Sequence, residues 1–533
     1  MYTRIKDTLQ KLSLSDQSHV LCGGLKGLEK ESLRVNKQGG ISQTPHPIGL
    51  GSALTNPYIT TDYSEALLEF ITPPFKSSTD TLAFMESVHT FTYQHLENEM
   101  LWATSMPCIV DGDLSIPIAN YGFSHSGKMK HVYRIGLWHR YGRSMQAIAG
   151  IHFNYSLAEE FWPTYQKINN NTQDKQEFIS ECYMDMTRNL HRYGWLILYL
   201  FGASPAICRS FLKGQDHASF DAFDSGTLYK KYATSLRMSD IGYKNDSQSG
   251  INISYNSLNE YVSRLIAATE KPFRAYEEIG LKDSSGQYLQ LNCNILQIEN
   301  EYYSNVRPKQ IIQAGERPSE ALQKRGVRYV ELRSVDLNPF APSGIDQEQL
   351  YFLEAFMVFC LLADSPLLSK GAKLIADKNQ AIVASEGRKP NLELQKINES
   401  TSLHAWGLEI CDEMIQLCQV LDANAKEEPY SAALALQVQK LNDVRLTPSA
   451  MVLKSMHDND LPFFKFAMSQ SQQHHDFFNQ KVLTKAHSNL LKEAQQQSIS
   501  DQQQIERADS GTFEKYLEQY FSKHAGSPVD LPL

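Results

Sequence analysis

The stretch Gly27-Leu-Glu-Lys-Glu-Ser-Leu-Arg-Val35 decides how the chain is to be read. Side chains alternate along an extended strand, so Glu29, Glu31, Leu33 and Val35 share one face while Lys30, Ser32 and Arg34 take the other. A face that begins acidic and ends apolar has one end at an open site and the other in a core. At a rise of ~3.3 Å per residue the two Glu stems stand roughly 6.6 Å apart, a spacing from which flexible side chains can hold two neighbouring cations. An isolated Glu-x-Glu is more often a solvated strand face, so the partners of this strand decide its meaning.

The chain has 533 residues, 42% of them hydrophobic and 10% aromatic, which is a globular composition with room for a large core. A net charge of −9 argues against a broad nucleic-acid-binding face. The eight cysteines are scattered with no C-x-x-C pair, which predicts reduced thiols and a cytoplasmic protein. The first residues lack the apolar run of a signal peptide. The runs Trp195 to Phe201 and Ala355 to Ala363 are too short to span a bilayer, which needs about 20 residues, so no membrane partner is expected.

From Ile59 to Pro74 the period fits a helix or a strand, but β-branched ends and the Pro-Pro stop favour a strand in which Glu65 and Glu69 share a face and Asp62 lies in the approach. Helices are expected over Ser77 to about Glu99, Lys128 to Arg140 with Tyr133 and Arg134 at its middle, and Lys175 to Phe201. Met145 to Leu157 is the clearest strand. Its odd positions are apolar, and its even face, Ile148 apart, bears Gln146, Gly150, His152, Asn154 and Ser156. Leu289 to Glu301 and Val327 to Val335 are further strand candidates, the second placing Glu331 beside Arg333, and a polar connection with Arg307 and Lys309 joins them. Later helices are expected over Asp346 to Ala363, His404 to Leu421, and from Thr447-Pro448. The Gln-rich 496–504 segment reads as a solvated helix or tail without chemistry.

Glu29, Glu31, Asp62, Glu65, Glu69, His152 and Glu331 all fall on or beside strands. Several carboxylates cannot share a partly buried surface without cations. Oxygen-rich ligation with one imidazole suits Mg²⁺ or Mn²⁺ better than Zn²⁺. Arg134, Arg237, Arg333 and Lys309 are then placed to meet phosphate or a carboxylate. Neither G-x-x-x-x-G-K-[ST] nor G-x-G-x-x-G occurs, and no G-x-S-x-G or Cys-His signature supports a covalent hydrolase.

Gly27–Val35, Ile59-Thr-Thr-Asp-Tyr-Ser-Glu-Ala-Leu-Leu-Glu-Phe-Ile-Thr-Pro73, Gly150-Ile-His-Phe-Asn-Tyr-Ser156, Phe201-Gly-Ala-Ser-Pro-Ala206, Ser235-Leu-Arg-Met-Ser-Asp240, Gln297-Ile-Glu-Asn-Glu301 and Glu331-Leu-Arg-Ser334 together resemble bacterial glutamate-cysteine ligase of the proteobacterial type, also called γ-glutamylcysteine synthetase. The resemblance runs from about residue 23 to 366 and more thinly into the C-terminus. It implies an α+β fold: a curved, largely antiparallel sheet of the glutamine synthetase superfamily type forming a funnel, surrounded by helices. The expected organisation is a catalytic region, 1–366, and a mainly helical region, 367–533, packed on it as one integrated domain. The resemblance further implies two or three Mg²⁺ ions, with Mn²⁺ as an alternative, on Glu29, Glu31, Asp62, Glu69, His152 and Glu331. Arg333 and Arg134 match the family's catalytic arginines. Tyr133, Gln146, Asn154, Arg237, Tyr243 and Tyr303 match residues around the substrates, and Glu65 is left as structural. The implied activity joins L-glutamate to L-cysteine with ATP as cosubstrate, in a cytoplasmic monomer; separately, the polar composition of Tyr243 to Gly250 points to a loop that closes over the site. The alternatives are a ligase of the same fold using a different amine, and a non-catalytic metal or amino-acid binder.

Overall fold

The computed structural model describes residues 2–522 apart from 213–217, 242–250, 314, 424 and 426. Its strands are β1 (Leu25–Asn36), β2 (Ile59–Thr61), β3 (Leu67–Ile71), β4 (Glu99–Leu101), β5 (Ile151–Ser156), β6 (Ala206–Cys208), β7 (Asp221–Ala222), β8 (Thr227–Tyr229), β9 (Val306–Lys309), β10 (Tyr329–Val335), β11 (Glu393–Gln395) and β12 (Ser400–Ser402). The main sheet has the order β2-β3-β1-β5-β10-β9 with β4 on the far end of β1, and every pairing in it is antiparallel. The α+β reading with a largely antiparallel sheet therefore holds.

β1 is central and buried on both faces. Against the acidic face, the side with Lys26, Leu28, Lys30 and Arg34 is packed under helices, because each cation there has a partner. Lys26 pairs with Glu354 of the helix Gln347–Leu362, Arg34 with Glu99, and Lys30 Nζ lies 2.6 Å from His89 Nε2 on the helix Ser78–Tyr93. Burial pushes the Lys30 ammonium down to about 7. On β5 the alternation resolves as expected, with Ile151, Phe153 and Tyr155 fully buried in the core and His152 and Asn154 on the opposite face.

Several expectations are corrected. The strand around His152 is shorter than Met145 to Leu157, since Ser144–Ala147 forms a 3₁₀ turn and Ala149 N–H is taken by the carbonyl of Ser105. The Ile59 to Pro74 segment is a β2–β3 hairpin with Asp62 to Ala66 as its connection. Glu65 leaves the shared face to accept from the N–H groups of His46 and Asn120. The helix begun at Ser77, whose side chain accepts from Asp80 N–H, ends at Tyr93, and Glu99 lies on a strand. The expected helix to Phe201 is two, Lys175–Tyr193 and Trp195–Phe201, parted at Gly194. Leu289 to Glu301 is not a strand: it is turns closed by a 3₁₀ turn at Glu299–Glu301, and its neighbour β9 takes the place beside β10. Its apolar positions are buried by packing and not by strand pairing.

Cys108 and Cys208 form a disulfide, 100 residues apart in sequence, while the other six cysteines are not disulfide-bonded. The expectation of reduced thiols fails for this pair. Its partners are brought together by the fold, so spacing carries no sign of it. The Gln-rich segment belongs to the helix Lys485–Ala508, where Ser498 accepts from Ser52 N–H. No helix among the described residues is long and apolar enough to cross a membrane.

Candidate active site

Register assembles the acidic face. Glu31 sits opposite Glu69 across β1–β3, Glu29 opposite His152 across β1–β5, and Glu331 opposite Asn154 across β5–β10. Glu29, His152 and Glu331 present ligand atoms all within 4.8 Å of one another, a group that can hold a metal ion. His152 Nδ1 is 3.1 Å from Glu29 Oε2 and 3.6 Å from Glu331 Oε1, and its Nε2 is 3.9 Å from Glu31 Oε1. Asn154 Nδ2 donates to Glu29 Oε1 at 2.9 Å, so Asn154 orients a carboxylate. Gly150 N–H donates to Glu31 Oε2 at 2.7 Å.

The carboxylates divide by environment. Burial pushes Glu31 up to about 8, with the Asp62 charge adding to it; burial and the charges of Glu29, Asp62 and Glu31 hold Glu69 well above the usual range. Glu331 and Glu29 go the other way. Burial opposes ionisation of Glu331, yet the charges of Lys309 and Arg333 outweigh it and hold it well below the usual range. For Glu29 burial is outweighed by the hydrogen bond from His152 and by Lys309. His152 is lowered by burial and by Arg333, which favours the neutral imidazole a metal needs. Glu331 is fully buried, and neither of its carboxylate oxygens has an aligned hydrogen bond among the described residues. Arg333 Nη1 at 3.2 Å and Lys309 Nζ at 3.5 Å approach as ion pairs. A buried carboxylate left in this state, beside a neutral imidazole and a second carboxylate, fits a hard divalent cation.

Beside this cluster opens a cavity of about 140 Å³. Glu31, Asp62 and His152 form its acidic wall, and Arg134, Arg237, Arg307 and Arg333 are its cations. Tyr63, Leu137, Tyr141 and Met145 make an apolar wall, and Tyr133, Gln146 and Tyr303 also face it. The helix His125–Tyr141 contributes Tyr133, Arg134, Leu137 and Tyr141, successive turns of one face, held at its start by Ser124 accepting from Gly127 N–H. Arg134 is fixed by its Nε donating to the carbonyl of Asp62 and by stacking 4.6 Å over Tyr121. A bulge on β10 between Leu332 and Val335 sets the edge where Arg333 Nη1 comes within 3.5 Å of His152.

Of the residues singled out from sequence, Glu31, Asp62, Tyr133, Arg134, Gln146, His152, Arg237, Tyr303 and Arg333 line the cavity. Glu29, Asn154 and Glu331 stand in the adjoining cluster, with Glu69 next to Glu31. Tyr243 and the loop to Gly250 lie outside the described residues. Sequence reading did not single out Tyr63, Leu137, Tyr141, Met145, Asn300 or Glu301 as site residues. The helical spacing of Leu137 and Tyr141 from Tyr133 was a usable signal for two of them. The β9–β10 pairing that sets Arg307 opposite Glu331 left no local one.

A model of the glutamate-cysteine ligase family matches residues 9–383. The chain is 46% identical over 521 residues to the glutamate–cysteine ligase of Alcanivorax borkumensis, covering 97% of this chain and 99% of that one. It is 45% identical to that of Pseudomonas fluorescens over 93% of each. The structure resembles a glutamate–cysteine ligase from Francisella tularensis solved in complex with AMP, with a TM-score of 0.89 and 36% identity over 94% of this chain and 98% of that one. A bifunctional glutathione synthetase from Pasteurella multocida shares the fold at a TM-score of 0.72 and 24% identity, covering 91% of this chain and 58% of its own. With an acidic, arginine-ringed funnel on an antiparallel sheet and relatives matched along nearly their whole length, the chain belongs to the glutamate-cysteine ligase family.

Proposed function

We propose that this cavity joins the γ-carboxylate of L-glutamate to the amine of L-cysteine with conversion of ATP to ADP and phosphate, the first step of glutathione biosynthesis. The single observation that carries the reading is the Glu29–His152–Glu331 cluster opening onto a cavity ringed by four arginines, a pairing of cation site and anion site that phosphoryl transfer needs. Glu29, His152 and Glu331 would hold one Mg²⁺ or Mn²⁺, and Glu31, Asp62 and Glu69 would hold one or two more. Bound there, the ions neutralise the nucleotide phosphates and draw charge from the phosphoryl oxygens.

The chain's own groups do the rest. Arg333 and Arg307 set positive charge beside the transferred phosphoryl group, and Arg134 and Arg237 meet substrate carboxylate. Tyr133, Gln146, Asn154 and Tyr303 orient the substrates directly or through Glu29. A carboxylate oxygen of glutamate attacks the γ-phosphorus and the bond to the β-phosphate oxygen breaks, giving γ-glutamyl phosphate and ADP. The cysteine nitrogen then attacks the acyl carbon, the carbon–oxygen bond to phosphate breaks, and the amine loses its proton as the amide forms. Tyr63, Leu137, Tyr141 and Met145 line the apolar wall that keeps water from hydrolysing the acyl phosphate. The protein is read as a cytoplasmic monomer in which residues 1–366 and 367–533 act as one domain.

The test is ADP release coupled to product mass. ADP should form only with glutamate, cysteine and Mg²⁺ together, and the product should be γ-glutamylcysteine. A panel of other amines giving faster turnover, or no ADP at all, would overturn the reading.

A further inference from the structure

We propose that Asp336 is a positioning residue that aims Arg237 into the cavity and keeps it there beside a second cation. Asp336 follows β10 directly and is almost fully buried. Its Oδ2 accepts from Ala203 N–H at 2.9 Å and Ser204 Oγ at 2.6 Å, and its Oδ1 accepts from Ser235 Oγ at 2.9 Å. Arg237 Nη1 lies 3.7 Å from that same Oδ1. One carboxylate thus ties together the bend after Phe201, the turn carrying Arg237, and the strand carrying Glu331 and Arg333.

The need for it follows from how Arg237 is held. Arg237 is 5% exposed, and its Nη2 donates to the backbone carbonyl of Arg333 at 2.9 Å, so one end of the buried guanidinium is tied to β10. The Arg237 guanidinium also lies flat against Gly150, where an added Cβ would come within 2.0 Å of Nη2. Arg237 therefore has a narrow slot. A fixed anion behind it offsets the cost of burying its charge and sets the angle at which it faces the substrate.

The inference rests on the reading that Arg237 meets a carboxylate of glutamate, and the experiment separates the two. Steady-state kinetics are measured for Asp336→Asn, Arg237→Met and the double variant, with Mn²⁺ binding followed by electron paramagnetic resonance. Asp336→Asn is expected to raise KM for glutamate by about tenfold or more, to change kcat by less than about threefold, and to leave Mn²⁺ affinity unchanged. In the Arg237→Met background the same change is expected to add less than about twofold, because the positioned group is gone. If Arg237→Met leaves KM for glutamate unchanged, both readings fall. If Arg237→Met raises KM while Asp336→Asn does not, or if the two effects multiply in the double variant, the positioning role alone is overturned. Should Asp336→Asn fail to fold, Ser235→Ala keeps the charge and removes one donor that fixes Oδ1. It must then raise KM for glutamate by several-fold, and an unchanged KM overturns the proposal.

Discussion

Glu331→Gln tests the centre of the proposed site. The two side chains have nearly the same shape, so the substitution removes one charge and little volume. Glu331 is 1% exposed, with Arg333 at 3.2 Å, Lys309 at 3.5 Å and His152 at 3.6 Å. At an effective dielectric near 20, a pair of unit charges about 3.5 Å apart interacts by roughly 4–5 kcal/mol before desolvation. Gln sheds the cost of burying the anion, and Arg333 keeps Glu29 as a counter-charge. Folding should therefore suffer by only about 1–3 kcal/mol, less than the loss in rate. Losing one anionic contact to a cation at the transferred phosphoryl group should cost about 2.7–4 kcal/mol in the transition state, or roughly 10²–10³-fold in kcat. The assay is coupled ADP release across a Mg²⁺ titration, with Mn²⁺ binding measured by electron paramagnetic resonance and folding by thermal melt. Wild-type turnover at saturating Mg²⁺, or unchanged Mn²⁺ affinity in a folded variant, would refute the reasoning. Glu69→Gln should behave in the same way.

Three further outcomes are expected. Glu31 is raised in the folded state to about 8 and Glu69 is raised as well, from an ordinary 4.5, so at these two groups the metal-free folded protein holds protons that the unfolded chain has lost across that window. The contribution of these two carboxyls to stability should therefore fall as pH rises from about 4.5 to 8, by up to about 1.4 kcal/mol per pH unit per carboxyl, read for Glu31 as the difference between melts of the wild type and Glu31→Gln in EDTA, and Mg²⁺ should flatten that difference; a difference that stays constant with pH would contradict this. Alkylation of the denatured, unreduced protein should modify six of the eight cysteines and spare Cys108 and Cys208, and replacing both by Ser should lower stability by about 2–4 kcal/mol in a denaturant titration. Eight labelled thiols would show the pair unlinked. Gly150→Ala should drive Arg237 from its slot, since the new methyl would sit 2.3 Å from its Cζ, and should raise KM for glutamate roughly 10²-fold while the fold persists; ordinary kinetics would show that the slot has slack.

Alternation along Gly27 to Val35, Ile151 to Ser156 and Val327 to Val335 was enough by itself to identify strands and to say which residues face the chemistry. In β5 and β10 one face meets a core and the other does not, and that contrast is written into neighbouring residues. Local caps did as much for helices: Ser77 and Asp346 accept from N–H groups of the first turn, and Pro448 opens its helix. The same local logic misread Leu289 to Glu301, where the apolar positions are buried by packing and not by a strand partner. It also ran the His152 strand six residues too early, because Met145 to Gly150 has the right composition without the pairing.

What tertiary structure alone decided is who stands opposite whom. Register set Glu31 against Glu69 and Glu29 against His152, the β9–β10 pairing brought Arg307 and Lys309 to Glu331, and chain closure joined Cys108 to Cys208. These contacts join residues tens to hundreds of positions apart, fixed by the packing of the whole chain. The charged face of β1 shows the point most plainly. Alternation puts Lys30 and Arg34 on the face away from the acids but names no partner for them; with Lys26 they are buried because Glu354, His89 and Glu99 arrive from other elements to satisfy them. Periodicity reports the environment of a segment, but only the fold supplies the partners that make a buried charge, or a cluster of carboxylates, tolerable.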